Sequence, residues 1–254
     1  MSVTRVATRM RLFLFDVDGT LVSARGAGRA AMARALEAVY GTRAGIDGYD
    51  FRGKTDPRAV FDILRDAGFD DAAIAGRLDE CFERYVLELE ALVGDGARVE
   101  IMPGVADVVR ALAARTDAIV GLLTGNIESG ARVKLRHTGL WPLFRVGAFG
   151  SDDADRRRLP AIACARARGV AGVEVPFDRV VIIGDTPLDV DCARACGAVA
   201  VAVATGHHAA TDLATCGSDL LFADLADVAA VLRALVTSTA DCQAWPFGCQ
   251  PANA

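Results

Sequence analysis

The chain lacks any long apolar run. Of its 254 residues 52% are hydrophobic, yet no uninterrupted apolar stretch approaches the roughly 20 residues that a membrane-spanning helix needs. The stretch from Met1 to Arg5 also lacks the apolar core of a secretory signal peptide. We therefore expect a cytoplasmic protein with no membrane partner.

An excess of positive charge is also missing. The 28 basic and 33 acidic side chains give a formal net charge of −5, whereas proteins that bind nucleic acid by charge usually show a basic surface. Nucleic acid is therefore not an expected partner. The length allows one large domain plus an insert, and the apolar content can bury a sizeable core.

The seven cysteines show no disulfide framework or metal-binding spacing. Cys192 and Cys196 are four residues apart on one predicted helix, but no second ligand pair accompanies them. Cys242 and Cys249 lie in the tail 237–254, whose Pro, Gln and small residues predict weak order. We interpret the cysteines as reduced thiols, as expected in the cytoplasm.

Two carboxylates follow an apolar run near the start of the chain. Residues 12–15 are typical of a buried parallel strand, and Asp16 and Asp18 come directly after it. Residues at positions i and i+2 of an extended chain point to the same side, and Gly19 permits a sharp turn. Both carboxylates can therefore address one ligand; a solvated Asp-Gly turn is the plainer alternative.

A second apolar strand, 118–123, ends in Thr124, Gly125 and Asn126 before a helical pattern that starts at Ile127. The Thr124 hydroxyl can donate to an anion, and Gly125 exposes backbone N–H groups beside a helix N-terminus, whose dipole favours negative charge. This pattern predicts a phosphate site. A simple helix cap is the alternative.

A third strand, 179–183, leads into a loop that carries Asp185 and Asp189. Both carboxylates can lie over the same end of the sheet, where they would suit a hard divalent cation. A pair of helix-capping acids is the alternative, above all for Asp189.

Three adjacent arginines, residues 156–158, lie between the second and third of these strands, and Pro160 fits the first turn of the helix that follows. A basic group here can neutralise the carboxylates and an anionic ligand. A solvated surface patch is the alternative.

These four segments, in this order, resemble the haloacid dehalogenase superfamily in its phosphatase branch, over roughly residues 10 to 236. The resemblance implies an α/β fold, Mg²⁺ as cofactor and a small phosphorylated metabolite as partner. It also implies the following residues: Asp16 as nucleophile, Asp18 as general acid and base, Thr124, Gly125 and Asn126 on the phosphate, and Asp16, Asp18 (by its carbonyl), Asp185 and Asp189 around the metal.

The basic position departs from the family pattern. Most members carry a lysine there, and the only lysines of this chain, Lys54 and Lys134, are not placed for it. We expect an arginine to substitute: Arg156 by its spacing to the following helix, with Arg157 next. A guanidinium keeps its charge at any working pH and presents a planar fork of donors.

The remaining pattern separates into two bodies. Strands at about 12–16, 118–123, 179–183 and 198–203 alternate with helices at about 103–115, 127–138, 160–168 and 187–196. This alternation predicts a Rossmann-like, doubly wound parallel sheet with its site at the carboxyl ends of the strands. We assign this core to residues 1–21 and 101–236.

Between residues 22 and 100 the strand signal disappears, and helical patterns near 27–40, 56–67 and 71–92 replace it. This stretch resembles the family's all-helical cap. Its glycine-flanked loop can aim Lys54 or Arg52 at the substrate, although a surface lysine, and Thr55 or Asp56 as a helix cap, are the alternatives. The pair at 207–208, two histidines, is expected in a loop far from catalysis.

The resemblance implies a Mg²⁺-dependent phosphohydrolase that acts through an aspartyl-phosphate. Asp18 argues against a dehalogenase, which needs no proton donor for its leaving group. A phosphomutase of the β-phosphoglucomutase kind, a phosphonoacetaldehyde-type hydrolase that uses Lys54 as a Schiff base, and a catalytically silent binding module stay open. So does the choice between monomer and homodimer.

Overall fold

The structure is a computed structural model, and it describes residues 10–237. Six parallel strands form the main sheet in the order β5-β4-β1-β6-β7-β8, and two short strands, β2 and β3, form a separate antiparallel pair. The strands are β1 Arg11–Phe15, β2 Val22–Ser23, β3 Glu100–Ile101, β4 Ala118–Thr124, β5 Val146–Phe149, β6 Val180–Gly184, β7 Val199–Val203 and β8 Leu220–Phe222.

Alternating apolar side chains of β1 supply both layers of the core. Leu12 and Leu14 belong to the cluster on one face of the sheet, and Phe13 and Phe15 to the cluster on the other, as the two-residue period of a strand requires. A strand buried on both faces needs helices on both sides. The sheet is therefore doubly wound.

Ten α-helices lie among the described residues: α1 Ala27–Tyr40, α2 Asp56–Asp66, α3 Asp71–Ala75, α4 Leu78–Val93, α5 Val105–Ala113, α6 Glu128–Leu135, α7 Leu159–Ala171, α8 Pro187–Cys196, α9 Ala210–Ala214 and α10 Val228–Thr237. Helices α5, α6 and α10 cover one face of the sheet, and α7, α8 and α9 cover the other. No helix within 10–237 is long and apolar enough to cross a membrane.

Helices α1 to α4 form a separate cluster between β2 and β3, which we call the insert. Their buried side chains, including Met32, Leu64 and Tyr85, share a third hydrophobic cluster. Ile127, which precedes α6, and Val133 within it join that cluster from the sheet side. Helix α6 therefore packs against both the sheet and the insert.

The predicted α/β class with its parallel sheet and flanking helices is confirmed, and the four predicted strands lie within a residue of their observed bounds. Strands β2, β3, β5 and β8 were not predicted, because none of them has more than four residues. The single helix predicted at 71–92 is wrong: Asp70 caps a short α3, and α4 starts anew after Arg77. Apart from Thr237, the predicted tail lies outside the described residues, as do Cys242 and Cys249.

Gly104 offers a test of this packing. It has a φ of +75° before α5, and a Cβ there would overlap the backbone carbonyl of Leu225. We expect Gly104→Ala to lower the free energy of unfolding by about 2–5 kcal/mol, from the left-handed backbone and the steric overlap together. Gly139 has a φ of +70° in open space, so Gly139→Ala should cost only about 1–2 kcal/mol. Equal losses in urea denaturation would contradict the predicted overlap.

Candidate active site

Three polar side chains meet where neighbouring strands end. Phe15 pairs with Leu122 and Ile183 in the parallel register, so the residues that follow β1, β4 and β6 emerge at one edge of the sheet. Asp16, whose N–H donates to the Ile183 carbonyl at 2.9 Å, is buried there with Thr124 and Asp185. The parallel register brings these three predicted site residues together.

Asp16, Asp185 and Asp189 form a compact acidic group. One carboxylate oxygen from each lies within 4.8 Å of the others. Thr20 donates its hydroxyl to Asp185 Oδ1 at 3.0 Å. Asp189 is the most heavily engaged, because its Oδ2 accepts from the N–H and hydroxyl of Thr186 at 3.0 and 2.7 Å. Asp189 therefore caps its helix, as the alternative interpretation has it, and also belongs to the acidic group.

Arg156 lies between two of these carboxylates. Its Nη2 is 3.2 Å from Asp16 Oδ1 and forms an ion pair with Asp189 Oδ1. Burial works against the charge of the guanidinium, but Asp189 and Asp16 outweigh it and raise the pKa of Arg156. Its Nε is buried and has no hydrogen-bond partner among the described residues. Arg156 thus lies at the basic position expected from the sequence, and its Nε–H group is a donor that a ligand could use.

Arg157 does not reach the site. It is exposed and donates to both carboxylate oxygens of Asp191, at 2.8 and 2.9 Å, on the outer surface of α8. The direction of the chain in the short turn Arg156–Arg158 explains the difference, since successive side chains of a helical turn point to different sides. The structure therefore gives no support to the predicted phosphate contact of Arg157.

The acidic group carries more negative charge than its surroundings offset. Burial raises the pKa of Asp16 to about 6, with Arg156 opposing the shift and Asp189 adding to it. Burial, and then the charge of Asp16, raise the pKa of Asp185 well above its usual value. Both shifts mean that a further positive charge would stabilise the ionised carboxylates. Oxygen donors with such a deficit fit a hard divalent cation such as Mg²⁺.

Asp18 has different surroundings from Asp16. Its side chain is 44% exposed, and its Oδ2 accepts two hydrogen bonds, from Asn126 Nδ2 at 2.8 Å and from Lys134 Nζ at 2.6 Å. The two carboxylates of the first motif therefore differ: one is buried beside an arginine, and the other faces the cavity with a lysine and an amide behind it.

Asn126 holds neighbouring side chains. Its Nδ2 also donates to Thr124 Oγ1 at 2.8 Å, and its Oδ1 accepts from Lys134 Nζ at 2.6 Å. The amide is therefore fully engaged, and the predicted phosphate contact of its side chain would require breaking one of these bonds. Because Thr124 Oγ1 only accepts in these bonds, its hydroxyl hydrogen is available to a ligand.

Lys134 was missed by sequence reasoning. From the sequence, Lys134 was considered only for the basic position, where the structure has Arg156 instead, and was given no other place in the site. Lys134 lies buried in α6 and donates to Asp18. The available signal was its position: Gly130, Ala131, Lys134 and Leu135 are buried together on one stripe of α6, with the spacing that puts side chains on one helix face. A lysine in the apolar stripe of a helix that follows a strand end indicates a buried contact near the site.

A cavity of about 580 Å³ lies between this sheet edge and the insert, within the usual size for small-molecule sites. Lys54 and Arg52 line it from the insert side. Lys54 Nζ sits 4.1 Å above the ring of Tyr49, and Arg52 pairs with Asp50 at 2.7 Å. Both predicted substrate residues thus face the cavity, each already in contact with a neighbour.

Residues 54–56 connect the insert to the edge of the sheet by hydrogen bonds and close packing. The Asp56 N–H donates to the Gly125 carbonyl at 2.7 Å, and its Oδ2 accepts from the Ile127 N–H at 2.9 Å, at the start of α6. A Cβ on Gly125 would overlap the Lys54 carbonyl. Thr55 caps α2 and also donates to the Ala154 carbonyl at 2.7 Å. Gly125 is therefore required here by the close approach of the insert.

The expectation that the histidine pair lies far from catalysis is wrong for His207. This residue follows β7 and lines the same cavity as Asp16 and Asp18. The loop from 204 to 209 crosses the carboxyl edge of the sheet, as loops after parallel strands do. The position of β7 beside β6 was therefore a usable signal.

Known proteins are similar to this chain in sequence. The model of the haloacid dehalogenase-like hydrolase family matches residues 10–197. A curated phosphoglycolate phosphatase from Synechococcus elongatus is 27% identical over 222 residues, which cover 86% of this chain and 95% of the relative.

Solved structures agree in fold. A hydrolase from Pseudomonas syringae matches with a TM-score of 0.67 at 21% identity, over 88% of this chain and 98% of the other. CbbY from Rhodobacter sphaeroides, solved in complex with phosphate, matches with a TM-score of 0.64 at 20% identity, over 86% and 96%. Since the family model covers well over half of the sequence, the chain belongs to the haloacid dehalogenase-like hydrolases.

The two adjacent arginines allow a direct test of the ion pairs. Arg156→Met would leave Asp16 and Asp189 buried without their cation, and we expect a loss of about 3–5 kcal/mol in the free energy of unfolding. Arg157→Met removes only an exposed surface pair and should leave the free energy of unfolding nearly unchanged. Urea denaturation of both variants without divalent metal makes the comparison. Similar small losses would show that Arg156 does not hold the carboxylates.

Proposed function

We propose that the protein is a Mg²⁺-dependent phosphohydrolase that acts on a small phosphomonoester through an aspartyl-phosphate. The observation that carries the proposal is the contrast between two carboxylates in one cavity: Asp16 lies buried beside Arg156, and Asp18 is exposed to the cavity. One suits a nucleophile and the other a proton donor, because their surroundings differ.

In the first step an oxygen of Asp16 attacks phosphorus, the bond from phosphorus to the leaving oxygen breaks, and Asp18 gives its proton to that oxygen. In the second step Asp18 takes a proton from the attacking water, which displaces Asp16 and releases inorganic phosphate. The Thr124 hydroxyl, the backbone near Gly125 and the spare Nε of Arg156 would bind the phosphoryl oxygens, over which the transition state spreads its charge.

Asp16 and Asp185 would hold the Mg²⁺ ion, together with the backbone carbonyl of Asp18, and Asp189 would lie behind them. When bound, the ion neutralises the carboxylates and the phosphate so that both can occupy one site. The raised pKa values of Asp16 and Asp185, caused above all by burial, support this assignment, since they report a deficit of positive charge.

The insert would act as a cap that selects the substrate. Its contribution to the cavity includes Lys54 and Arg52, so we expect a substrate that carries a second anionic or strongly polar group beside its phosphate. The curated relative is a phosphoglycolate phosphatase, which makes 2-phosphoglycolate the first compound to test. Domain limits of 22–100 for the cap, with the core on either side, agree with where β2 and β3 pair.

The decisive assay measures phosphate release from 2-phosphoglycolate, sugar phosphates, nucleotides and p-nitrophenyl phosphate, with Mg²⁺ and with a chelator. We expect turnover that needs Mg²⁺ and falls at least about 10³-fold in Asp16→Asn, which removes the nucleophile. Transfer of phosphate to a sugar phosphate would indicate a mutase instead. Turnover that is equal in Asp16→Asn and wild type would exclude the proposed mechanism.

Lys54 provides a test of the cap. Lys54→Ala should lower kcat/KM on the best substrate by about 10-fold or more, mainly through KM, because a charge-assisted hydrogen bond contributes about 1.5–3 kcal/mol. Arg58→Ala is the matched control, since Arg58 is exposed on α2 and pairs with Asp62. A value of kcat/KM for Lys54→Ala that equals that of the control would remove Lys54 from the substrate site.

A further inference from the structure

We propose that Lys134 is a positioning residue: with Asn126 it holds one oxygen of Asp18 and leaves the other free to carry the proton to the leaving group. The inference rests on the proposed phosphohydrolase function. It adds a residue whose part in the site no motif of the sequence indicates.

Only one of the two carboxylate oxygens of Asp18 accepts hydrogen bonds from the described residues. Lys134 Nζ and Asn126 Nδ2 donate to the same oxygen, Oδ2, at 2.6 and 2.8 Å. Oδ1 has no hydrogen-bond partner among residues 10–237, and the side chain is 44% exposed. A carboxyl group fixed by one oxygen keeps the orientation of the other. Oδ1 is therefore the oxygen that can meet a substrate.

Lys134 is buried next to Asp18, as this role requires. Its side chain is only 5% exposed, and its Nζ also donates to Asn126 Oδ1 at 2.6 Å. On the insert side, a Cβ added to Gly28 would lie 3.2 Å from Nζ and 3.7 Å from the Tyr85 hydroxyl. Lys134 belongs to the lining of the cavity, but its Nζ already donates to Asp18 and Asn126, so the contacts favour Asp18 as its main charged partner.

The burial of this lysine also calls for a function. A buried ammonium is costly unless it is paired and hydrogen-bonded, and Lys134 meets that requirement through Asp18 and Asn126. An apolar residue on the buried stripe of α6 would have avoided the cost altogether. The arrangement gives each carboxylate of the first motif its own cation, Arg156 for Asp16 and Lys134 for Asp18.

If Lys134 positions Asp18, its loss should affect substrates differently according to their leaving groups. An alkoxide is a poor leaving group and needs a proton from Asp18, whereas p-nitrophenolate departs without one. For kcat/KM, which reports the steps up to formation of the aspartyl-phosphate, a misplaced Asp18 therefore affects alkyl phosphates far more than p-nitrophenyl phosphate. A lysine that bound the phosphate itself would affect both substrates alike.

The experiment compares kcat/KM for p-nitrophenyl phosphate and for the alkyl phosphate that the wild type hydrolyses fastest. The variants are Lys134→Met, Asp18→Asn, the double variant, and Arg132→Met as the control. Arg132 belongs to the same helix but is exposed and pairs with Glu128. Thermal unfolding of each variant, and its remaining activity on the aryl ester, report whether the site is folded.

We expect Lys134→Met to lose about 10²-fold or more on the alkyl phosphate, the range of general acid catalysis, and less than about 10-fold on the aryl ester. The double variant should be no slower than Asp18→Asn, since both changes disable one group. Arg132→Met should match the wild type on both esters.

Equal losses of Lys134→Met on the two esters, or additive losses in the double variant, would overturn the proposal. So would an unchanged alkyl phosphatase activity. Failure of the underlying function is distinguishable, because it would appear in the wild type itself, as an absence of phosphate release from either ester, and the positioning role would fall with it.

Discussion

The ion pairs of Arg156 with Asp16 and Asp189 are the contacts on which the site depends. Parallel strands deliver Asp16 and Asp185 to a buried edge, where ionised carboxylates are unfavourable. One guanidinium stabilises part of that charge, and Thr20 and Thr186 stabilise more of it through hydrogen bonds. The carboxylate charge that these contacts leave unbalanced suits a divalent cation together with a phosphate. The lack of positive charge that destabilises the ligand-free site would therefore favour binding of these ligands.

Helix α6 connects this edge to the insert. The N–H of Ile127, the residue before this helix, donates to Asp56 of the insert, and the last turn of the helix contains Lys134, which donates to Asp18. Its side chains pack into both the sheet cluster and the insert cluster. The position of Asp18 therefore depends on how the insert packs against the sheet, whereas Asp16 is held by the strands and by Arg156.

The sequence was informative where a local pattern determines position. Apolar runs followed by polar residues predicted the strands and placed Asp16, Thr124 and Asp185, because the carboxyl ends of parallel strands share one edge. It failed where a position depends on packing between distant segments. The direction of Lys134 follows from the fit of α6 between two clusters, and the approach of His207 follows from the path of a loop. A short window of sequence shows an apolar helix stripe around Lys134 and a strand before His207, but it does not show which residues these two side chains meet.

The most direct test of the account looks for the covalent intermediate. The Asp18→Asn variant, in which we expect slow breakdown of an aspartyl-phosphate, is mixed with an aryl phosphate and Mg²⁺, quenched in acid, and digested for mass spectrometry. The account predicts a phosphorylated peptide with the phosphoryl group on Asp16 that disappears after hydroxylamine treatment. Turnover of the substrate with no adduct on Asp16, or with the adduct on another residue, would contradict it.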